Sequence, residues 1–272
     1  YKKGIEGPFW KIPVVGKLPS FLRYIAEVKI NFFYLLVSLV RHKITLIAID
    51  PLSAFAGVLL KRLGFSVRVI FITPDFARER FQNKVLNRLY FKLDEFCTRY
   101  ADINYCSAQT VINYKKELYG PKIAGKLEHL PNSPAPWLVE PLRAVAKIPY
   151  RCVYVGDIGQ QLDFKMIFST IELLKADFPE ICLRIIGDGE KRAELEVWVK
   201  EQGYTTNQFL GHKPYGQALA EIATATLGLA LYNGNLSFDE FRDSIKVREY
   251  QALGVIPIAS KTAPATANDI AL

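Results

Sequence analysis

The 272-residue chain holds four cysteines, three histidines and one methionine, and these shortages narrow its chemistry. Cys97, Cys106, Cys152 and Cys182 are scattered with no C-x-x-C pair, and the last two fall in apolar strand-like runs where cysteine behaves as a small hydrophobe. A disulfide framework is not indicated; a reduced, cytoplasmic setting is the expectation. His42, His129 and His212 share no metal-ligand spacing with one another or with the cysteines, which argues against a structural or catalytic zinc. Long hydrophobic runs are missing too: the longest, Ile30 to Val40, is broken by Asn31 and Ser38 and falls short of the ~20 residues of a membrane span. No methionine opens the chain, which begins at Tyr1, and "TANDIAL" closes it inside what reads as an element, so both ends are expected to be edges of a longer sequence.

What is present suits folded α/β structure. With 50% hydrophobic and 12% aromatic residues the chain can bury two cores. The formal charge of +8 tolerates acidic partners, namely nucleotide phosphates, anionic lipid head groups or nucleic acid. The basic residues are dispersed and no recognised nucleic-acid module emerges, so nucleic acid is not expected as a partner.

Strand-like runs alternate with amphipathic stretches. The first half reads as a helix over 20–41, "ITLIAID", a helix over 54–63, "VRVIFIT", a helix over 83–100 and "DINYCSA"; the second restarts with "RCVYVGDIG", "ICLRIIGDG", "QFLGH", "LGLALY" and "VIPIAS", separated by helical stretches. Between the halves, residues 130–149 hold five prolines, a density that blocks helix interiors and central strands. The expected fold class is therefore α/β, two Rossmann-like doubly wound parallel-sheet lobes with an inter-lobe cleft: a lobe over 1–133 whose first strand is missing, a Pro-rich linker over 134–149, and a second lobe over 150–272.

Chemistry concentrates at strand ends of the second half. Gly156, Gly187 with Gly189, Gly211 and Gly234 each follow an apolar run, and at the carboxyl ends of a parallel sheet glycine lets a ligand approach the backbone. In "DSIKVREYQALGVIPIAS", Asp243 or Ser244 can cap a helix on which Lys246 and Glu249 lie three apart, and the helix N-terminus offers N–H groups to a diphosphate. Read alone, these are tight turns and an ordinary helix-face pair.

In order and spacing, "YVGDIG", "LRIIGDGEKRAELE", "FLGHKPYGQALAEIATATLGLALY" and "SIKVREYQALGVIPIAS" resemble the nucleotide-sugar lobe of family 4 glycosyltransferases of the GT-B fold. "IDPLSAFAGVLLKRLG", "VIFITPD", "YADINYCSA" and "LPN" resemble its acceptor lobe more weakly. The resemblance implies transfer of a sugar from a nucleoside diphosphate donor, with retention of configuration, to a cell-envelope glycan or lipid-linked acceptor. It implies no cofactor and no metal, and the chain has no Asp-x-Asp motif. It also implies donor binding by Gly156, Asp157, the turn Gly187, Asp188 and Gly189, the nucleobase segment Gly211, His212 and Lys213, and Ser244, with Glu249 on the ribose.

Four positions depart from the family pattern. An arginine and a lysine that usually follow the first glycine fall on Asp157 and Leu162, the first of two paired glutamates falls on Phe241, and an acceptor-lobe histidine falls on Pro74. Substitutes are expected nearby: Glu240 or Asp243 for the glutamate, Arg242, Lys246 or Lys165 for the positive charge, and Asp75 beside Pro74. The catalytic set so expected is Glu240, Asp243, Lys246 and Asp75. The departures keep open a nucleotide-sugar-binding or scaffolding protein without turnover, and a GT-B-shaped epimerase remains a further alternative. The basic amphipathic segment 77–100, with Arg78, Arg80, Lys84, Arg88, Lys92 and Arg99, suits an anionic membrane surface or a lipid-linked acceptor, although Asp94 and Glu95 interrupt its charge.

Overall fold

The structure is a computed structural model that describes residues 20–39, 43–233 and 239–260. His42, Gly234, the end of the first expected helix and the closing "TANDIAL" lie outside the described residues. The chain divides into two compact units, one of residues 1–74, 81–105 and 116–128, the other of 75–80, 106–115 and 129–272.

In the first unit, helix α1 (Ser20–Leu39) precedes β1 (Ile44–Ile49), α2 (Pro51–Arg62), β2 (Val67–Thr73) and α3 (Lys84–Tyr100). Strands β3 (Ile103–Cys106) and β4 (Leu127–His129) complete a sheet of order β1-β2-β3-β4, and helix α4 (Gln109–Tyr119) joins them, its residues up to 115 grouping with the second unit. The α2 start follows from "DP": Asp50 accepts a hydrogen bond from the Ser53 N–H at 2.8 Å and Pro51 occupies the first turn, where no N–H is needed. Helix α3 begins where Asn83 accepts from the Val85 and Leu86 N–H groups. Ala54, Val58 and Leu60 of α2 pack on Val67, Val69 and Phe71 of β2. Asp94, 1% exposed, accepts from the Tyr119 hydroxyl at 2.8 Å, and burial, then the Asp94 charge, holds that phenol well above its ordinary value. Glu95 pairs with Arg99, four residues on.

The second unit carries α5 (Pro136–Val139), β5 (Arg151–Val155), α6 (Phe164–Leu174), β6 (Cys182–Ile186), α7 (Arg192–Glu201) and β7 (Asn207–Gly211), followed by α8 (Tyr215–Ala223), β8 (Leu227–Ala230), α9 (Ile245–Ala252) and β9 (Ile256–Ala259). Its sheet has the order β7-β6-β5-β8-β9 with every pairing parallel. The order reverses beside β5, the point at which open α/β sheets form a crevice at their carboxyl ends. Period-two alternation feeds two cores: Cys152 and Tyr154 face Phe164, Phe168 and Leu183, whereas Val153 faces Leu219, Ile222 and Tyr250. The segment expected as a linker packs on the same unit. Val139 is buried, Leu138, Leu142 and Val145 lie against the core under α8 and α9, and the Lys147 ammonium donates to the Ala223 and Leu253 carbonyls at 2.8 and 2.7 Å.

Candidate nucleotide site

The carboxyl ends of β5, β6 and β7 are stitched together by their turns. Gly156 N–H donates to the Ile186 carbonyl and Gly187 N–H to the Gly211 carbonyl, both at 2.9 Å, while Ile158 N–H reaches the Asp188 carbonyl at 2.9 Å. The stacking tolerates no side chain: a methyl group on Gly187, at φ +139°, would overlap the Gly156 carbonyl, and one on Gly189 would lie 2.5 Å from the Ile158 carbonyl oxygen. Beside these turns lies a cavity of about 420 Å³ lined by Val155, Gly156, Asp157, Ile186, Gly187, Asp188, His212, Lys213, Tyr215 and Ala218. Its size is that of a small-molecule site.

Six of the expected donor residues therefore meet in one cavity: Gly156, Asp157, Gly187, Asp188, His212 and Lys213. Gly189 and Gly211 support it through the backbone. Asp188 also accepts from Arg192 at 3.3 Å, and Lys213 pairs with Glu221 at 3.5 Å. Glu249 on α9 is 4% exposed and accepts from the Tyr215 hydroxyl. Burial pushes the Glu249 carboxyl above the usual range, against the pull of the Tyr215 hydrogen bond and the Lys246 charge. Tyr215, raised to about 12 by burial and then by the Glu249 charge, was not singled out from the sequence. Its signal is its place at the start of α8, directly after Pro214 and the Gly211 to Lys213 turn.

Neither expected side-chain cap of α9 forms. Ser244 is the N-cap residue, yet its hydroxyl lies 3.0 Å from the Tyr232 hydroxyl and makes no cap hydrogen bond. The Asp243 carboxylate accepts instead from the Asn132 N–H at 2.6 Å and from Arg248 Nε at 2.9 Å, while the Asn132 amide donates to the Asp243 carbonyl at 2.8 Å. These bonds brace the segment before α9.

The other substitutes are engaged as well. Glu240 forms a two-pronged pair with Arg78, and Asp75 pairs with Arg80 at 3.4 Å on the surface. Phe241 is 3% exposed, its ring against Phe76 and Tyr114. Leu162 is buried in the core and bridges Tyr232. Lys165 pairs with Glu194 at 3.2 Å. Lys246, 8% exposed, lies over the rings of Tyr154 and Tyr232 at 4.3 and 5.2 Å and forms no ion pair with Glu249. None of Asp75, Glu240, Asp243, Lys246, Ser244 or Glu249 lines the cavity itself. Among the described residues no group of three or more His, Cys, Asp or Glu is placed to hold a metal ion.

No protein-family model matches the chain. No curated protein matches it in sequence. Solved structures do match in fold. The pneumococcal O-GlcNAc transferase GtfA in complex with UDP and GlcNAc superposes with a TM-score of 0.55 at 11% identity, over 79% of this chain and 42% of that one. α,α-Trehalose 6-phosphate synthase from Burkholderia multivorans matches with a TM-score of 0.59 at 14% identity, over 90% and 64%. Anabaena Alr3699/HepE in complex with UDP and glucose matches with a TM-score of 0.57 at 14% identity, over 94% and 66%. The chain thus spans 42% to 66% of the length of these proteins. The likeness is one of fold: two Rossmann-like α/β units of the GT-B kind.

Proposed function

We propose that the chain belongs to a GT-B glycosyltransferase that moves a sugar, with retention of configuration and without a metal, from a nucleoside diphosphate to a cell-envelope glycan or lipid-linked acceptor. The observation that carries the reading is the buried Glu249 carboxylate, oriented by Tyr215 beside a glycine-walled cavity at the carboxyl ends of a β7-β6-β5-β8-β9 sheet. In this reading Glu249 accepts from the ribose hydroxyls, the turns at Gly156 and Gly187 to Gly189 admit the diphosphate, and the Gly211 to Lys213 turn meets the base. Support from outside the chain comes from the UDP-bound GtfA and HepE structures, which share the fold.

A cytoplasmic protein that touches an anionic membrane surface fits helix α3. The acids that interrupt its charge in sequence are withdrawn, Asp94 by burial and Glu95 by Arg99, leaving Lys84, Val85, Arg88, Leu89 and Lys92 exposed. No described helix is long and apolar enough to cross a membrane.

A second reading, nucleotide-sugar binding without transfer, is favoured by the burial of Phe241 and by the engagement of Glu240 and Asp243. A thermal-shift screen against UDP, GDP, ADP and their sugar conjugates, followed by an assay of donor turnover, tests both. A ligand at ~100 times its Kd should stabilise the protein by ~2.7 kcal/mol. A shift with turnover supports the transferase, a shift without it the second reading, and no shift with any nucleotide refutes both.

A further inference from the structure

Lys246 is a buried cation whose contacts are aromatic. At 8% exposure it makes no ion pair and no hydrogen bond among the described residues, and its ammonium rests on the rings of Tyr154 and Tyr232. Two aromatic faces offset part of the lost hydration of an ammonium but supply no acceptor for its three N–H groups. The side chain points at the turn after β5: a methyl group on Gly156 would sit 2.7 Å from Nζ. The N-terminus of α9 opens one residue before Lys246, uncapped by the Ser244 hydroxyl.

We propose that Lys246 is the phosphate-binding cation of this site, and that an arriving nucleoside diphosphate draws its ammonium from the Tyr154 and Tyr232 rings onto a phosphate oxygen held against Gly156 and the first N–H groups of α9. The inference rests on the reading of the cavity as a nucleotide site. Glycine at 156 lets the anion meet the backbone, the helix end adds favourable potential, and the ammonium gains the acceptors it lacks.

Binding is then coupled to a proton. The groups facing the ammonium are Tyr154 on β5, Asp157 after it, Tyr232 after β8, Arg242 ahead of α9 and Glu249 on α9 itself. Burial, then the Arg242 charge, lowers the ammonium to about 7, while Glu249 and Asp157 oppose the shift. At slightly alkaline pH part of the empty protein has a neutral amine here, and a phosphate dianion favours the protonated form.

Titration calorimetry of the full chain with UDP, GDP and ADP at pH 7.5, in Tris and in MOPS, tests the assignment. For the diphosphate that binds, the apparent enthalpy should differ between buffers in the direction of proton uptake. Lys246→Met should lower the ratio of diphosphate to nucleoside affinity at least tenfold. Lys246→Arg should keep most of the diphosphate affinity and lose the buffer dependence, which holds the test open if the methionine variant does not fold. An unchanged affinity ratio in Lys246→Met, or an unchanged buffer dependence in Lys246→Arg, overturns the role of Lys246 and leaves the nucleotide site standing. Absence of binding by any diphosphate to the unaltered protein overturns the site and this inference together.

Discussion

Phe241 meets Phe76 edge to face, ring centroids 5.2 Å apart, and meets Tyr114 at the same separation. Phe241 is thus one member of a three-ring aromatic cluster. Phe241→Ala should cost about 3–5 kcal/mol in denaturant unfolding. Phe241→Glu should cost at least as much, because a carboxylate would enter a packed apolar site, and it should add no turnover. A Phe241→Glu protein as stable as the parent would show that the ring is not a core element.

Asp243 braces the segment before α9. Its side chain is 7% exposed in the pair with Arg248, so removing one partner strands the other, at about 3–5 kcal/mol. The double variant Asp243→Ala/Arg248→Ala should lose less stability than the two single variants combined. An Asp243→Asn protein that melts normally but has lost all turnover would instead place the carboxylate in the chemistry.

Glu249 should make stability depend on pH. Its folded-state affinity for a proton is raised by burial, so the charged form is penalised at neutral pH and the native state takes up a proton before the unfolded chain does. Glu249→Gln should therefore melt higher than the parent at pH 7. The gap should narrow as pH falls through the raised value and vanish below the ordinary glutamate value of 4.5. The same variant should bind nucleotide more weakly, since a carboxamide accepts fewer hydrogen bonds from a ribose.

Lys246 works in the opposite sense. Its folded value near 7 lies below the ordinary 10.5, so the penalty is full below pH 7 and fades as pH rises toward 10.5. Lys246→Met should stabilise the empty protein at or below neutral pH, because it removes a buried ammonium without acceptors, with the gain shrinking in alkali. Melting curves at pH 6 and pH 9 separate this from a pH-independent packing effect.

Gly187→Ala tests the stacked turns. The φ of +139° and the overlap with the Gly156 carbonyl oppose any side chain, and the strain alone is worth about 1–3 kcal/mol. Both stability and nucleotide affinity should fall, because the Gly156 turn must move to accommodate the methyl.

Much of the fold was legible because it is local. The runs around "RCVYV" and "CLRII" alternate with amphipathic stretches, and the helix expected from 83 does begin at the Asn83 cap, whereas the one expected over 54–63 starts earlier, at Pro51, because the Asp50 side chain caps it there. The glycine turns were legible for the same reason: an apolar run that ends in glycine has few other uses in a parallel sheet. The partners of charged groups were not. Nothing near Asp243 in sequence points to Asn132, 111 residues away, and nothing near Glu240 points to Arg78, 162 residues away. Tyr154 and Tyr232 lie in the strand-like runs "RCVYV" and "LGLALY" and are buried, but nothing in those runs tells that their rings hold Lys246. Residues 75–80 and 106–115 belong with the later part of the chain through contacts that no periodicity encodes.

The ring cluster at Phe241 also bears on which sequences this fold admits. Phe76, Tyr114 and Phe241 come from three separate segments of the chain, so each ring is fitted to the other two. Tolerated changes at these three positions should therefore be correlated rather than independent, a larger side chain at one calling for a smaller one at another.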